Sequence, residues 1–303
     1  MITDLTDQFF GKPVQPYDPQ TPLDASGGTV YRLALDYDDN RRMADVLEEF
    51  LAKADKTKLE ALVFGLWDEA HSTGPGDFFA VLAAHARELP NLRALFVGDI
   101  TYEECEISWI VQGYYNLLLD AFPQLEVLRI RGTIELEIEP FSHDSLRELT
   151  IESGGLPSKI VEALAESKLP KLEALELWLG TSDYGFDGDV GLYQNLLDKL
   201  LTPSLRYLGL RDSEIADELA KWLAKSAWLE QLDTLDLSLG TIGDIGAKAL
   251  SASPHAAKLK LLDLTHHYIS EEWQEKLRAL GPQVVLEDPQ EEDGDDRYVA
   301  VGE

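Results

Sequence analysis

Apolar residues recur along this chain in a fixed frame, at the first, fourth and sixth positions of each copy. The stretch from Leu232 through Leu235 and Leu237 to Ile242 shows it most plainly. The same frame starts at Leu205 (Leu208, Leu210, Ile215), Leu259 (Leu262, Leu264, Ile269), Leu172 (Leu175, Leu177) and Leu125 (Leu128, Ile130). Looser copies start at Leu59 (Leu62, Phe64), Leu92 (Leu95, Val97) and Leu146 (Leu149, Ile151). Positions four and six are two apart, so they share one face of an extended strand. Polar or Gly residues follow, and then apolar residues at helical spacing. Val30 to Asp36 alternates and predicts a ninth, degenerate strand. A single unit cannot bury its Leu face, but stacked units share one continuous core. The prediction is a row of parallel strands with helices on the opposite face and right-handed crossovers.

This frame resembles the leucine-rich repeat. The C-terminal half, notably Ile242 to Leu250, is similar to the ribonuclease-inhibitor type. The resemblance implies an α/β solenoid, a horseshoe or arc with its parallel sheet on the concave face and helices on the convex face. The first Leu positions step by 33, 33, 21, 26, 33, 27 and 27 residues. The step of 21 between Leu125 and Leu146 leaves no room for a full helix and predicts a short irregular connection. Many such repeats carry Asn at the ninth position, tying down the loop. Here that position holds Trp67, Ile100, Thr133, Gly154, Gly180, Ser213, Gly240 and His267, so the loops must be satisfied in another way.

Residues 1–28 lack the frame. They form a Pro-rich segment with Phe9, Phe10 and Tyr17, expected to cap the first strand. Asp39 or Asn40 is expected to cap a helix containing Met43, Val46, Leu47, Phe50 and Leu51, and Asp77 the next one. A helix carrying Ile110, Tyr114, Leu117 and Leu118 follows the unusual stretch from Gly98 to Ile110. Val284 to Leu286 predicts a closing strand. Beyond it, residues 287–296 are acidic and read as disordered, while Tyr298 to Val301 has strand character. The expected division is a capping segment 1–28, a solenoid 29–286 and an acidic tail 287–303. The opening Phe10 to Asp18, together with Gly98 to Ile110, resembles an uncharacterised bacterial family of stand-alone cytoplasmic leucine-rich-repeat proteins. That resemblance implies an intracellular repeat protein without known catalysis, and it transfers no site residues.

Charge changes the picture. The chain of 303 residues has 56 acidic and 26 basic residues, a net charge of −30. Such a chain is repelled by nucleic-acid phosphates and anionic membranes, so neither is an expected partner, whereas a basic protein is drawn in. Cys105 is the single cysteine, which excludes a disulfide framework and fits a reducing cytoplasm. No basic and apolar leader is evident at the start, and no apolar run reaches membrane-helix length.

Candidate chemistry is sparse. Positions three, five and seven of each copy point into the hollow of the arc. They bring forward Arg129, Arg131, Glu148, Glu152, Glu176, Trp178, Tyr207, Arg211, Asp236 and Asp263, and in earlier strands Ala61, Val63, Ala94 and Phe96. An exposed aromatic among Arg residues has the composition of an interface hot spot. Arg129, Arg131, Glu152, Glu176, Trp178, Tyr207, Arg211 and Asp236 are therefore the candidate partner contacts, with solvated, cross-paired strand residues as the competing reading. The apolar early positions would instead be covered by the N-terminal segment. Glu103, Glu104 and Glu106 around Cys105, and the loop carrying Asp183, Asp187 and Asp189, are alternative metal or acid–base sites. Solvated acidic surface is the more economical reading of both. His266, His267 and Glu271 are too few and wrongly spaced for a zinc site, and no phosphate loop, nucleophile elbow or Cys-based zinc spacing occurs. The expected function is non-catalytic protein binding through the concave face, with no cofactor and no metal. A metal-dependent enzyme is the first alternative. The second is a self-assembling scaffold that adds Tyr298 to Val301 to a sheet edge of another copy.

Overall fold

The computed structural model describes residues 1–36, 39–200, 202–294 and 296–302. Their strands form one open sheet in strict chain order. The sheet begins with an antiparallel hairpin, β1 (Gln8–Phe9) and β2 (Lys12–Pro16). Parallel strands follow: β3 (Val30–Leu33), β4 (Ala61–Phe64), β5 (Ala94–Val97), β6 (Val127–Arg131) and β7 (Glu148–Glu152). Then come β8 (Ala174–Gly180), β9 (Tyr207–Ser213), β10 (Thr234–Asp236), β11 (Leu261–Asp263) and β12 (Gln283–Val285). The register aligns the fourth and sixth frame positions across strands, as in Leu149↔Leu175 and Ile151↔Leu177. These side chains share one core with the helices, and Leu62, Leu95, Leu177 and Leu208 are wholly buried in it.

The helices are α1 (Met43–Lys53), α2 (Gly76–Ala84), α3 (Asn116–Ala121), α4 (Ser158–Ala165) and α5 (Val190–Leu200), then α6 (Ala216–Leu223), α7 (Asp244–Ser251) and α8 (Glu271–Arg278). Between β6 and β7 no α-helix forms among the described residues. Ile134 and Glu137 instead bridge to Val111 and Tyr114, so the short step is filled by extended chain. The helix of the preceding unit is also shorter than its apolar pattern predicts. Ile107–Trp109 is a 3-10 turn, and α3 starts only at Asn116.

Helix starts depart from the expected capping. Neither Asp39 nor Asp77 caps its own helix. The first amides are met by an Asp of a neighbouring unit. Asp68 accepts from Met43 N–H at 2.9 Å and Asp187 from Ser158 N–H at 2.6 Å. Asp217 accepts from Gly243 and Gly246 at 2.9 and 2.7 Å, and Asp244 from Ser270 at 2.8 Å. Each carboxylate meets orphan N–H groups at the positive end of a helix dipole, and it stitches two units together. Part of the work of the missing Asn ladder is done this way. Ser213 and His267, at ninth positions, do more of it by accepting the amides of Ile215 and Ile269. Gly180 has φ +69, and a Cβ there would lie 1.7 Å from Gly154 O, so adjacent loops close only over glycine.

The flanking segments both lie back on the sheet. The hairpin turns at Phe10 (φ 50) and Gly11 (φ 69), the two positive values of a two-residue hairpin turn. It places Phe9 against Val30, Ala61, Val63, Ala94 and Phe96 on the concave side. Residues 287–290 of the acidic tail are held against the chain rather than disordered as their composition suggests. Glu287 O accepts from His266 N–H at 2.9 Å, and Gln290 N–H donates to His267 O at 2.8 Å, so this part runs alongside the stretch that follows β11. Local composition carries no information about such long-range backbone partners. Among the described residues, no helix is long and apolar enough to cross a membrane.

Candidate functional site

The concave face divides into three zones. Over β3 to β5 the hairpin seals the apolar positions, with the Phe9 and Phe96 ring centroids 6.1 Å apart. The apolar positions Ala61, Val63, Ala94 and Phe96 are thus covered rather than offered to a partner, as their composition suggested.

The second zone begins at β6. Arg129 and Arg131 lie over the Phe96 ring, at 4.5 and 5.2 Å from its centroid, and both pair with Glu152 on β7. Glu152 is wholly buried. Burial opposes its charge, but Arg131 and Arg129 outweigh that and hold the carboxyl below its ordinary value. Arg131 also donates to Ile100 O at 2.9 Å, and Arg32 binds buried Asp99 at 3.1 Å. Arg131 and Glu152 thus form an internal ion pair. Of the three, Arg129 remains partly accessible, with 31% of its side chain exposed.

The third zone centres on β8 to β10. The register sets Trp178 beside Arg211, and Arg211 lies 5.1 Å from the indole centroid. Glu176 accepts from Trp178 Nε1 at 2.7 Å and from Arg211 at 2.8 Å. The Tyr207 hydroxyl sits 2.8 Å from Glu176 Oε2 and 2.9 Å from Asp236 Oδ2. A phenol has one proton, so Tyr207 donates to one carboxylate at a time while Arg211 offsets the charge of both. Burial, then the two carboxylates, push the Tyr207 phenol far above its ordinary value. Trp178 is not the exposed aromatic expected from its strand position. It is 6% exposed, packed against Ile107 and Val301 with Ile2, Leu239 and Ala300 around them. Asp236 is also buried, at 6%. A strand pattern assigns a side chain to a face, but it does not say what crosses that face later in the chain.

What stays open is a strip along β6 to β12. Arg129, Thr150, Glu176, Tyr207, Arg211 and Asp263 are partly accessible there, and Glu148 is exposed. The alternative sites are dispersed. Glu104 accepts from Thr101 N–H at 2.8 Å and pairs with Arg32 at 3.5 Å, while Glu103 meets Tyr102. Cys105 borders a cavity of about 730 Å³ with Asp68, Tyr102, Glu106 and Trp109. Burial, then Glu106, push its thiol up to about 11, which leaves it protonated and weakly nucleophilic at neutral pH. Asp187 and Asp189 accept from the amides of Ser158 and Leu192 in separate turns, and Asp183 is exposed. His266 binds Asp288 at 3.0 Å and Tyr298 O at 3.2 Å, while His267 faces the backbone. Among the described residues, no three His, Cys, Asp or Glu side chains converge as a metal site.

Tyr298 to Val301 is engaged within its own chain. Ala300 N–H donates to Leu239 O at 2.8 Å and Val301 N–H to Asp212 Oδ1 at 2.9 Å. Asp212 is the residue that sequence reasoning missed. It is wholly buried, its Oδ2 has no partner, and burial lifts its carboxyl to about 8 against the opposing Val301 amide, Met1 ammonium and Arg211. Its positive φ of 52 is shared by Leu239 (φ 66) and His266 (φ 63) at the same place in the next two repeats, and no sequence pattern announces its burial.

No family model and no curated protein matches this chain. Among solved structures, a crystal structure of a protein from Bacteroides fragilis, a structural-genomics target, is similar with a TM-score of 0.82 and 32% identity, over 90% of this chain and 77% of that one. An internalin from Listeria monocytogenes aligns over 87% of this chain and 56% of its own at 12% identity, with a TM-score of 0.31, a likeness on which nothing rests.

Proposed function

This chain belongs to the family of the Bacteroides fragilis protein, and from that premise we propose that it is a non-catalytic binding module for a basic protein in the cytoplasm. The observation that carries the reading is the strip on β6 to β12. It is a partly accessible run of parallel strands on the concave face bearing Arg129, Glu148, Glu176, Tyr207, Arg211 and Asp263, with carboxylates in excess. Tyr and Arg anchors held in place by neighbouring carboxylates are pre-organised for contact, and an acidic strip on a −30 chain steers a cationic partner. Arg131, Glu152, Trp178 and Asp236 enter this reading as the buried support of the strip. The division into segments 1–28, 29–286 and 287–303 enters it too, the outer two acting as covers. Glu148→Lys combined with Asp263→Asn removes accessible negative charge while keeping the acceptor that residue 263 offers to Thr265 N–H. Affinity capture from cytosol at about 0.05 and 0.5 M salt, with the native chain and this variant side by side, tests the reading. A salt-sensitive basic protein held by the native chain and lost from the variant, at unchanged melting temperature, supports it. The same protein held equally by both rejects this face.

A further inference from the structure

Residues 297–302 lie in a groove whose walls leave room for them. Arg297 pairs with Asp217 at 3.2 Å, donates to Thr241 O at 3.2 Å and lies 5.5 Å from the Tyr268 ring centroid. A Cβ on Gly243 would come within 2.2 Å of the Arg297 guanidinium, so a glycine there opens the slot. Further along, Tyr298 N–H donates to the Tyr268 hydroxyl at 2.8 Å, and Tyr298 O accepts from it at 3.0 Å. Ala300 and Val301 donate to Leu239 O and Asp212, and Gly302 O accepts from Ser108 at 3.2 Å. Val301 packs on Trp178 and Ile107. Most of these contacts read backbone alone. Selectivity rests on two side chains four residues apart, a basic one at 297 and a branched apolar one at 301.

Three features mark the occupant as exchangeable. The chain reaches the groove through residues 291–296, all of whose described members are exposed. Docking buries Asp212 with Oδ2 unmatched, which weakens the seated state. A cavity of about 490 Å³ remains beside Arg297, lined on the groove side by Glu214, Asp217 and Glu218 with exposed Ile245 at its edge, while Glu292 of the tail itself pairs with Arg297 at 2.6 Å. Its charge suits a basic ligand richer than the resident segment.

We propose that residues 297–302 are a resident, exchangeable occupant, and that the groove is a site for an extended segment of a partner protein with Arg or Lys four residues ahead of a branched apolar residue. This stands independently of the strip on β6 to β12.

The test uses full-length chain and a fluorescent peptide of residues 297–302, read by anisotropy, with hydrogen exchange at Ala300 and Val301. Arg297→Glu removes the anchor and frees the groove. The variant is expected to bind the peptide about tenfold or more tightly than the native chain, whose own segment competes in cis. A peptide with Glu in place of Arg is expected not to bind. Gly243→Ala added to Arg297→Glu is expected to weaken binding several-fold while the melting temperature holds, because the peptide's guanidinium must shift away from the added Cβ. The proposal is overturned if the Ala300 and Val301 amides exchange freely in Arg297→Glu and no peptide binds at about 1 mM. Amides that stay protected in that variant also overturn it, since Arg297 is then no anchor. A variant that dimerises instead assigns the groove to a second copy and overturns the partner reading. None of these outcomes bears on Glu148 and Asp263, so the two sites fail separately.

Discussion

Replacing Asp212 by Asn keeps the shape and the acceptor for Val301 N–H and removes only the ability to ionise. Asn also tolerates the positive φ of 52 at this position. Raising the carboxyl from 3.8 to about 8 corresponds, at 1.36 kcal/mol per pKa unit, to a ceiling of about 6 kcal/mol. The sign follows from proton binding. Between pH 3.8 and about 8 the folded chain keeps a proton on Asp212 that the unfolded chain has released. This contribution to stability is therefore complete below that window, falls across it and is gone above it. The groups facing the carboxyl are Arg211, the Met1 ammonium and the amides of Ala300 and Val301. The first two are cations and already offset part of the cost. A cheaper escape than global unfolding exists, because undocking residues 299–302 lets water reach the carboxyl. Docking gains a few hydrogen bonds at about 1 kcal/mol each and the burial of Val301, against about 1–2 kcal/mol per ordered residue. The two sides are of similar size, so docking nets a few kcal/mol at most, and the loss is capped there once ionisation costs more than that. Guanidinium unfolding of native and Asp212→Asn chains at about pH 3.5, 5 and 9 reads the difference. The two should coincide near pH 3.5, and Asn should be more stable by about 1–2 kcal/mol from about pH 5 upward, with slower exchange at Ala300 and Val301. A stability difference that does not grow with pH refutes the reasoning.

Other perturbations test other parts of the fold. Glu152→Ala leaves Arg131 buried without its carboxylate and should cost about 3–5 kcal/mol in denaturant unfolding, whereas an exposed pair such as Lys260–Asp233 should cost under about 1 kcal/mol. Gly180→Ala drives a Cβ into Gly154 O from a left-handed backbone and should lower stability by about 2 kcal/mol or more, measured in the same assay. Phe9→Asp should lift the hairpin from Phe96 and Val63, raising binding of an apolar dye while far-ultraviolet circular dichroism of the solenoid is retained. Leu208→Ala at a wholly buried strand position should cost about 2–5 kcal/mol.

The sequence by itself determined the solenoid. Every repeat must hide two strand side chains and its helix face, and that requirement is written locally, in the spacing of Leu208 and Leu210 or Leu235 and Leu237. The short step between Leu125 and Leu146 was legible for the same reason, as a length too small for a helix. The accessible surface was not legible. Whether Trp178 is free or covered depends on Val301, which lies more than a hundred residues later in the chain. The caps at Met43 and Ser158 come from Asp68 and Asp187, in units further along. The amide that buried Asp212 accepts comes from Val301, again from far along the chain. Periodicity reports which face a residue takes within its own unit. Which segment returns to cover that face is decided by contacts between distant parts of the chain, and only the tertiary structure holds those.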